Sequence, residues 1–207
     1  MSRDIILLRK GDKDMSKSSG EQVPKYTYFD YVTWPSDNPI ELIDGVPYAM
    51  TPGPSRIHQK ISVELVRQIA NYLRKKTCEV YAAPFDVRLT GDDEADEETK
   101  NVIQPDISIV CSQEKLDDKG CKGTPDLIME IVSPSSIAMD YIRKLNLYEK
   151  HSVREYWIIH PIDKIIMVYT LIENGKYARP KVYQIEEVIK ISIFDDLSIS
   201  LAEVFGG

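Results

Sequence analysis

Two short apolar runs, each built around a carboxylate, constrain this chain most: "QPDISIV" at 104–110 and "PDLIMEIV" at 125–132. Neither shows the apolar–polar alternation of a strand with one wet face. Continuous apolar strands belong to a sheet covered on both sides. In a strand of period two, Glu130 shares a face with Ile128 and Val132, so it has no wet side to turn to. An isolated buried carboxylate is costly and needs a cation, a metal ion or strong donors. The pattern therefore predicts a two-sided central sheet that carries acids into its interior.

The flanking segments supply the covering layers. Over residues 56–76, Ile61, Leu65, Ile69 and Leu73 repeat every four positions, with Val66 and Ala70 widening the stripe, which predicts a helix. The hydroxyls of "SPSS" at 133–136 are helix caps, and a second helix is expected over 137–150 with Ile137, Tyr141, Leu145 and Tyr148 facing inward. "IELIDGVPYAM" at 40–50 reads as a hairpin turning at Asp44-Gly45. "CEVYAAPFDVRL" at 78–89 reads as strand broken at Pro84. "EYWIIHP" (155–161), "KIIMVYTLIENGKY" (164–177) and "PKVYQI" (180–185) add further strands. A short helix in "YTYFDYVTW" (26–34) and one helical turn at 201–205 complete the pattern. This order predicts a mixed-sheet α/β (α+β) domain. At 207 residues the chain suffices for one full core and not for two comfortable ones. The expected division is a flexible, polar N-terminal segment over 1–24 and one domain over 25–207.

A net charge of −7 argues against a broad electrostatic grip on nucleic acid. It leaves room for a local basic groove, or for a site in which metal ions offset acids. Six acids crowd into 92–98, read as a solvated loop without the ordered ligands and central glycine of a calcium loop. Cys78, Cys111 and Cys121, with His58, His151 and His160, show no zinc spacing. Reduced thiols in a cytoplasmic protein are the expectation. No apolar run is long enough to span a membrane, and the N-terminal stretch lacks a signal-peptide pattern.

Five acids lie in or beside strands: Glu41, Asp86, Asp106, Asp126 and Glu130. Asp126 opens its strand and reads as an ordinary strand-end acid. Asp86 has Arg88 as a same-face partner. Lys144 lies beside the stripe of the second helix. Its long stem either carries the ammonium over apolar surface to the strand acids, or leaves it at the surface or paired with Asp140. Arg143 and Lys150 point outward.

These segments, taken in order with "HQKISVELVRQIANYL" (58–73) and "DYIRKLNLYEKHSVREYWIIHP" (140–161), resemble the "putative restriction endonuclease" family common in cyanobacteria, long filed as a domain of unknown function. That family belongs to the PD-(D/E)XK nuclease superfamily. The resemblance covers roughly residues 25–205. It implies a restriction-endonuclease-like core, a central mixed β-sheet flanked by helices. It implies that Asp106 and Glu130 are the two signature acids, that the backbone carbonyl of Ile131 joins the metal shell, and that Glu41 is an upstream acid. The usual superfamily lysine, two residues after the second acid, is here Val132. The resemblance places the lysine on the following helix, where Lys144 matches. His58 and Gln59 match a further part of the site, with helix packing as the alternative for His58.

The implied activity is Mg²⁺-dependent endonuclease cleavage of DNA, with Mn²⁺ as a possible substitute, RNA not excluded, and a homodimer as the expected assembly. Carboxylates with Mg²⁺ activate a bound water and hold phosphate oxygens. Lys144 would orient or deprotonate that water, or stabilise developing charge. One ion or two stays open at this point. The alternative is a catalytically inactive nuclease fold used as a nucleic-acid or protein binding module.

Overall fold

In the computed structural model, which describes residues 24–35, 39–50, 53–91 and 94–206, the two acid-bearing runs lie side by side. Strand β6 (Ile107–Val110) pairs antiparallel with β9 (Leu127–Ile131), Ile107 opposite Met129 and Ile109 opposite Leu127. On its other edge β9 pairs in parallel with β10 (Glu155–His160). Parallel neighbours require a crossover. Here it is a π-helical turn, Met139–Lys144, running directly into α3 (Leu145–Lys150). With β3 (Glu79–Ala82), β11 (Ile165–Thr170) and β12 (Lys181–Gln184) the sheet has six strands in the order β12-β11-β10-β9-β6-β3.

A second six-stranded sheet has the order β2-β1-β5-β4-β8-β7. Its strands are β1 (Ile40–Ile43), β2 (Val46–Ala49), β4 (Val87–Arg88), β5 (Val102–Ile103), β7 (Leu116–Asp117) and β8 (Gly120–Lys122). The β1–β2 turn has Asp44 at φ 48° and Gly45 at φ 80°, both left-handed, as a two-residue hairpin of this twist requires. The chain then forms α1 (Tyr28–Tyr31), α2 (Arg56–Leu73), the pair β13 (Val188–Lys190) and β14 (Ser198–Ser200), and α4 (Leu201–Phe205) around the two sheets. The result is the expected α+β fold with mixed sheets flanked by helices.

Alternate residues of β9 feed two separate cores, as its two-sided apolar character predicts. Leu127, Met129 and Ile131 join Ile61, Leu65 and Ile69 of α2 with Trp157 and Ile159 of β10. Ile128 and Val132 join Val87, Leu89 and Ile103 of the second sheet with Met139, Leu147 and Tyr148 of the crossover. Glu130 belongs to this second face. Helix α2 starts at Ser55, whose hydroxyl accepts from His58 N at 3.3 Å, a cap worth about 1 kcal/mol. It ends three residues short of the expected Lys76, with Lys75 at positive φ.

Several expectations are corrected. The stripe of the second helix is not the one an α-helical period gives: Ile137 is 47% exposed, while Met139, Asp140, Lys144, Leu147 and Tyr148 are buried. The π-helical turn has more residues per turn than an α-helix, so it rotates the following positions and carries Lys144 from the flank into the interior. Arg88 does not meet Asp86. It is fully buried and bonds Asp96 at 2.9 Å and Asp117 at 2.7 Å. The acidic run is therefore not wholly solvated, since Asp96 is drawn inward (Asp92 and Asp93 lie outside the described residues). Cys78 and Cys111 form a disulfide and only Cys121 is free. The register that sets Glu79 opposite Val110 makes these cysteines the next facing pair, a match invisible at a separation of 33 residues. It removes the thiol-based reason for a cytoplasmic location. The segment 1–24, expected to be flexible, lies outside the described residues except for Pro24. No described helix is long and apolar enough to cross a membrane.

Candidate active site

The β6–β9 register, carried one residue beyond its last pair, sets Asp106 opposite Glu130. Asp106 Oδ2 accepts from Ile131 N at 2.7 Å, in place of a further backbone ladder bond. The same oxygen meets His58 Nε2 at 3.1 Å, from the first turn of α2. Asp106 is thus fixed to the end of β9 and to α2 at once. His58 Nδ1 is buried without a hydrogen-bond partner. Gln59, which the family resemblance paired with His58, is exposed at the start of α2. Ile131 packs its side chain into the α2 core while its N–H serves Asp106.

Glu130 and Glu41 converge on one ammonium. Lys144 Nζ lies 2.8 Å from Glu130 Oε1 and 2.7 Å from Glu41 Oε1, and all three side chains are at most 6% exposed. Tyr148 donates its hydroxyl to Glu130 Oε1 at 2.7 Å, and Gln104 N donates to Glu41 Oε1 at 3.2 Å. Asp140 is buried beside the group. The lysine therefore neither snorkels to the surface nor serves only Asp140. Asp126 is the strand-end acid expected, accepting from Cys111 N and facing Arg154.

Burial pushes the Glu130 carboxyl up to about 8; Lys144 opposes this, while Asp106, Asp140 and Glu41 add to it. Burial alone would lower Lys144, but Glu130, Glu41 and Asp140 outweigh it and hold the ammonium charged well above its ordinary range. Lys144 in this state is a cation and a donor, not a base. Tyr148 is likewise raised, first by burial and then by Glu130, so it stays a donor.

Among the described residues no three His, Cys, Asp or Glu side chains are spaced to hold a metal ion. The donor chemistry nevertheless fits a hard divalent cation. Glu41 and Glu130 converge on one lysine, and Asp106 stands opposite Glu130 in the strand register, three carboxylates offering the hard anionic oxygen that Mg²⁺ prefers. Their spacing reflects what now holds them: Lys144 draws Glu41 and Glu130 together, while Ile131 N and His58 hold Asp106.

Two participants escaped the sequence reading. Tyr148 was assigned to packing, although its place four residues after Lys144 puts the two on one helical face. Gln104 carried a signal only through its position, immediately before Pro105-Asp106.

Comparison with known proteins follows the same outline. A chain described as a "putative nuclease belonging to DUF820" from Anabaena variabilis shares the fold, with a TM-score of 0.68 at 18% identity over 86% of this chain and 97% of that one. An uncharacterized protein of Synechocystis sp. is 26% identical over 166 residues, 79% of this chain and 83% of the relative. The model of the Uma2 family, described as "Putative restriction endonuclease", matches residues 28–202. A match over that much of the sequence shows that this chain belongs to the Uma2 family.

Proposed function

We propose that the protein is a Mg²⁺-dependent endonuclease that hydrolyses phosphodiester bonds of DNA. The observation that carries this reading is the convergence of Glu41, Glu130 and Lys144 within 2.8 Å contacts, beside an Asp106 pinned to the same strand end. Glu41, Asp106, Glu130 and the carbonyl of Ile131 would hold the ion, with Mn²⁺ as a substitute. Bound there, the ion supplies an activated water and neutralises phosphate charge.

The chain's own residues do the rest. Lys144, held as an ammonium, donates to the attacking water or to a phosphate oxygen and offsets the charge that develops on it. Tyr148 keeps Glu130 in place from its buried side. His58 orients Asp106 through Nε2. Asp106 and His58, at 22% and 14% side-chain exposure, form the wetter rim through which a phosphodiester approaches. A homodimer belongs to the same proposal: β12 is an edge of the large sheet, with Lys181, Val182 and Gln184 exposed, whereas β11 is paired on both sides.

The test is Mg²⁺-dependent cleavage of linear, supercoiled and single-stranded DNA and of RNA, with Mn²⁺ titration calorimetry on the same samples. Wild type should bind the ion and cut DNA, while Glu130→Ala and Asp106→Ala should do neither and remain folded. Equal cleavage by wild type and Glu130→Ala would refute the site. Nucleic-acid binding without cleavage by any sample would favour the binding-module reading.

A further inference from the structure

We propose that Asp86 is a positioning residue that sets the spacing of Glu41 and Asp106 by holding the side chain of Gln104. The inference rests on reading those two acids as site carboxylates. Its observation is separate: Asp86 sits beside the site, yet no described cation pairs with it. Asp86 Oδ1 accepts from Gln104 Nε2 at 2.7 Å and from Tyr31 Oη at 3.2 Å. Gln104 Nε2 also lies 3.4 Å from Tyr31 Oη, closing a small ring of neutral donors around one carboxylate oxygen.

Gln104 has a hand on both acids. Its backbone N–H donates to Glu41 Oε1 at 3.2 Å, and Asp106 follows it by two residues. Pro105 lies between them. Its ring fixes its own φ and confines Gln104 to extended backbone. A rotation of Gln104 therefore passes to Asp106 with little slack. Clamping the carboxamide of Gln104 fixes the peptide that bonds one acid and carries the other.

The clamp is itself anchored. The carbonyl of Asp86 accepts from Cys121 N at 2.9 Å. Gly120, at φ 121°, passes so close that a Cβ there would lie 2.2 Å from that carbonyl oxygen. Strand β8 thus holds the Asp86 backbone, leaving its carboxylate free to hold Gln104. Partners one shell out from a metal-binding carboxylate typically matter by about 10- to 100-fold in affinity or activity.

A positioning role needs an acceptor at Asp86, not a charge. Asp86→Asn keeps the oxygen and loses the charge; Asp86→Ala loses both. Two readouts separate this inference from the nuclease reading: the kcat of Mg²⁺-dependent cleavage, and the NMR chemical shift of the Gln104 backbone amide, which reports its bond to Glu41 without metal or substrate. Asp86→Ala should lower kcat about 10-fold or more and move the Gln104 amide proton upfield. Asp86→Asn should recover most of both, and Gln104→Ala should lower kcat like Asp86→Ala. If Asp86→Asn falls as far as Asp86→Ala, the charge matters and the inference is overturned. An unmoved Gln104 amide in Asp86→Ala overturns it too. If wild type does not cleave at all, the nuclease reading fails, and the amide shifts alone decide the clamp.

Discussion

Two buried cations in this molecule each face two carboxylates, and they do opposite things. Arg88 bonds Asp96 and Asp117; Lys144 bonds Glu130 and Glu41. Around Arg88 the acids lie at the rim, 16% and 45% exposed, and the guanidinium spreads its remaining capacity over the Cys121 carbonyl and the face of Tyr28. Burial works against the Asp117 carboxylate, but the hydrogen bond and charge of Arg88 hold it below the usual range. Around Lys144 the acids are as buried as the lysine, more acids stand nearby, and Glu130 is pushed up instead. One cluster keeps its acids at the rim and ties β4 to β7 and β8. The other is short of positive charge, which is the condition a divalent cation relieves. A buried ion pair by itself says little about function. The direction in which its acids are shifted says more.

The sharpest way to break this comparison is to remove each cation in turn. Lys144→Ala should lower the cleavage rate by about 10²- to 10³-fold, the scale of losing one donor aimed at developing charge. Its Mn²⁺ affinity should not fall, because lysine is a competitor for the carboxylates rather than a ligand. Lys144→Arg should not restore the rate, since a planar guanidinium does not fit between two oxygens that lie 2.7 and 2.8 Å from a compact ammonium. An unchanged rate in Lys144→Ala would remove the lysine from the mechanism.

Arg88→Met should show the reverse. Removing one partner of a buried ion cluster costs about 3 kcal/mol, at the low end of that range because Asp117 can turn to water. Neither metal affinity nor the Glu130 environment should change. Lys144→Met should cost less stability at neutral pH, because Glu130 can take up a proton once the ammonium is gone. Urea unfolding of both variants checks this, and a larger loss in Lys144→Met than in Arg88→Met would undo the distinction.

Much of this arrangement was legible in the sequence, for reasons that differ by residue. Asp106 and Glu130 announced themselves because apolar strands offered no wet side for them. The hairpin at Asp44-Gly45, the α2 stripe and the break at Pro84 follow from local turn and periodicity chemistry. Lys144 was singled out by its place beside the stripe of the second helix and matched by the family resemblance, but its depth was left open. A period of 3.6 residues put it on the flank, and only the π-helical turn carries it inward. The partners of Asp86 and Arg88 were misjudged because they are settled by tertiary packing: Tyr31 and Gln104 meet Asp86, while Asp96 and Asp117 meet Arg88. The Cys78–Cys111 disulfide is settled by strand pairing. Nearest neighbours in sequence were the wrong place to look for them.

The smallest effect is also the most direct probe of the charge shortage around Lys144. Glu130 has its carboxyl raised to about 8, from an ordinary glutamate value in the unfolded chain. A group raised in the fold contributes stability that is complete below its unfolded pKa and lost as pH rises through the folded one. Metal-free protein should therefore lose stability as pH climbs toward and past 8. His151 and His160, both lowered by burial, act in the opposite sense, but only near and below their ordinary range of about 6.5. Cys121, pushed up by burial to about 12, begins to matter only above its ordinary range of about 8.5. Lys144 stays charged throughout and adds no slope. Glu155, also raised by burial, acts in the same sense, so between pH 7 and 8.5 the part of the slope that Glu130→Gln removes is the part due to Glu130. The loss should be about 1 kcal/mol, a fall in Tm of roughly 2–4 °C for a chain of this size. Glu130→Gln should flatten the profile. Mg²⁺ added at the upper end of the range should raise the Tm of wild type and leave Glu130→Gln unmoved, because only the ionised carboxylate binds the ion. Calorimetric scans of the two proteins, with and without Mg²⁺, measure all of this. A wild-type profile parallel to that of Glu130→Gln would take the proton away from Glu130, and with it the contrast between the two clusters.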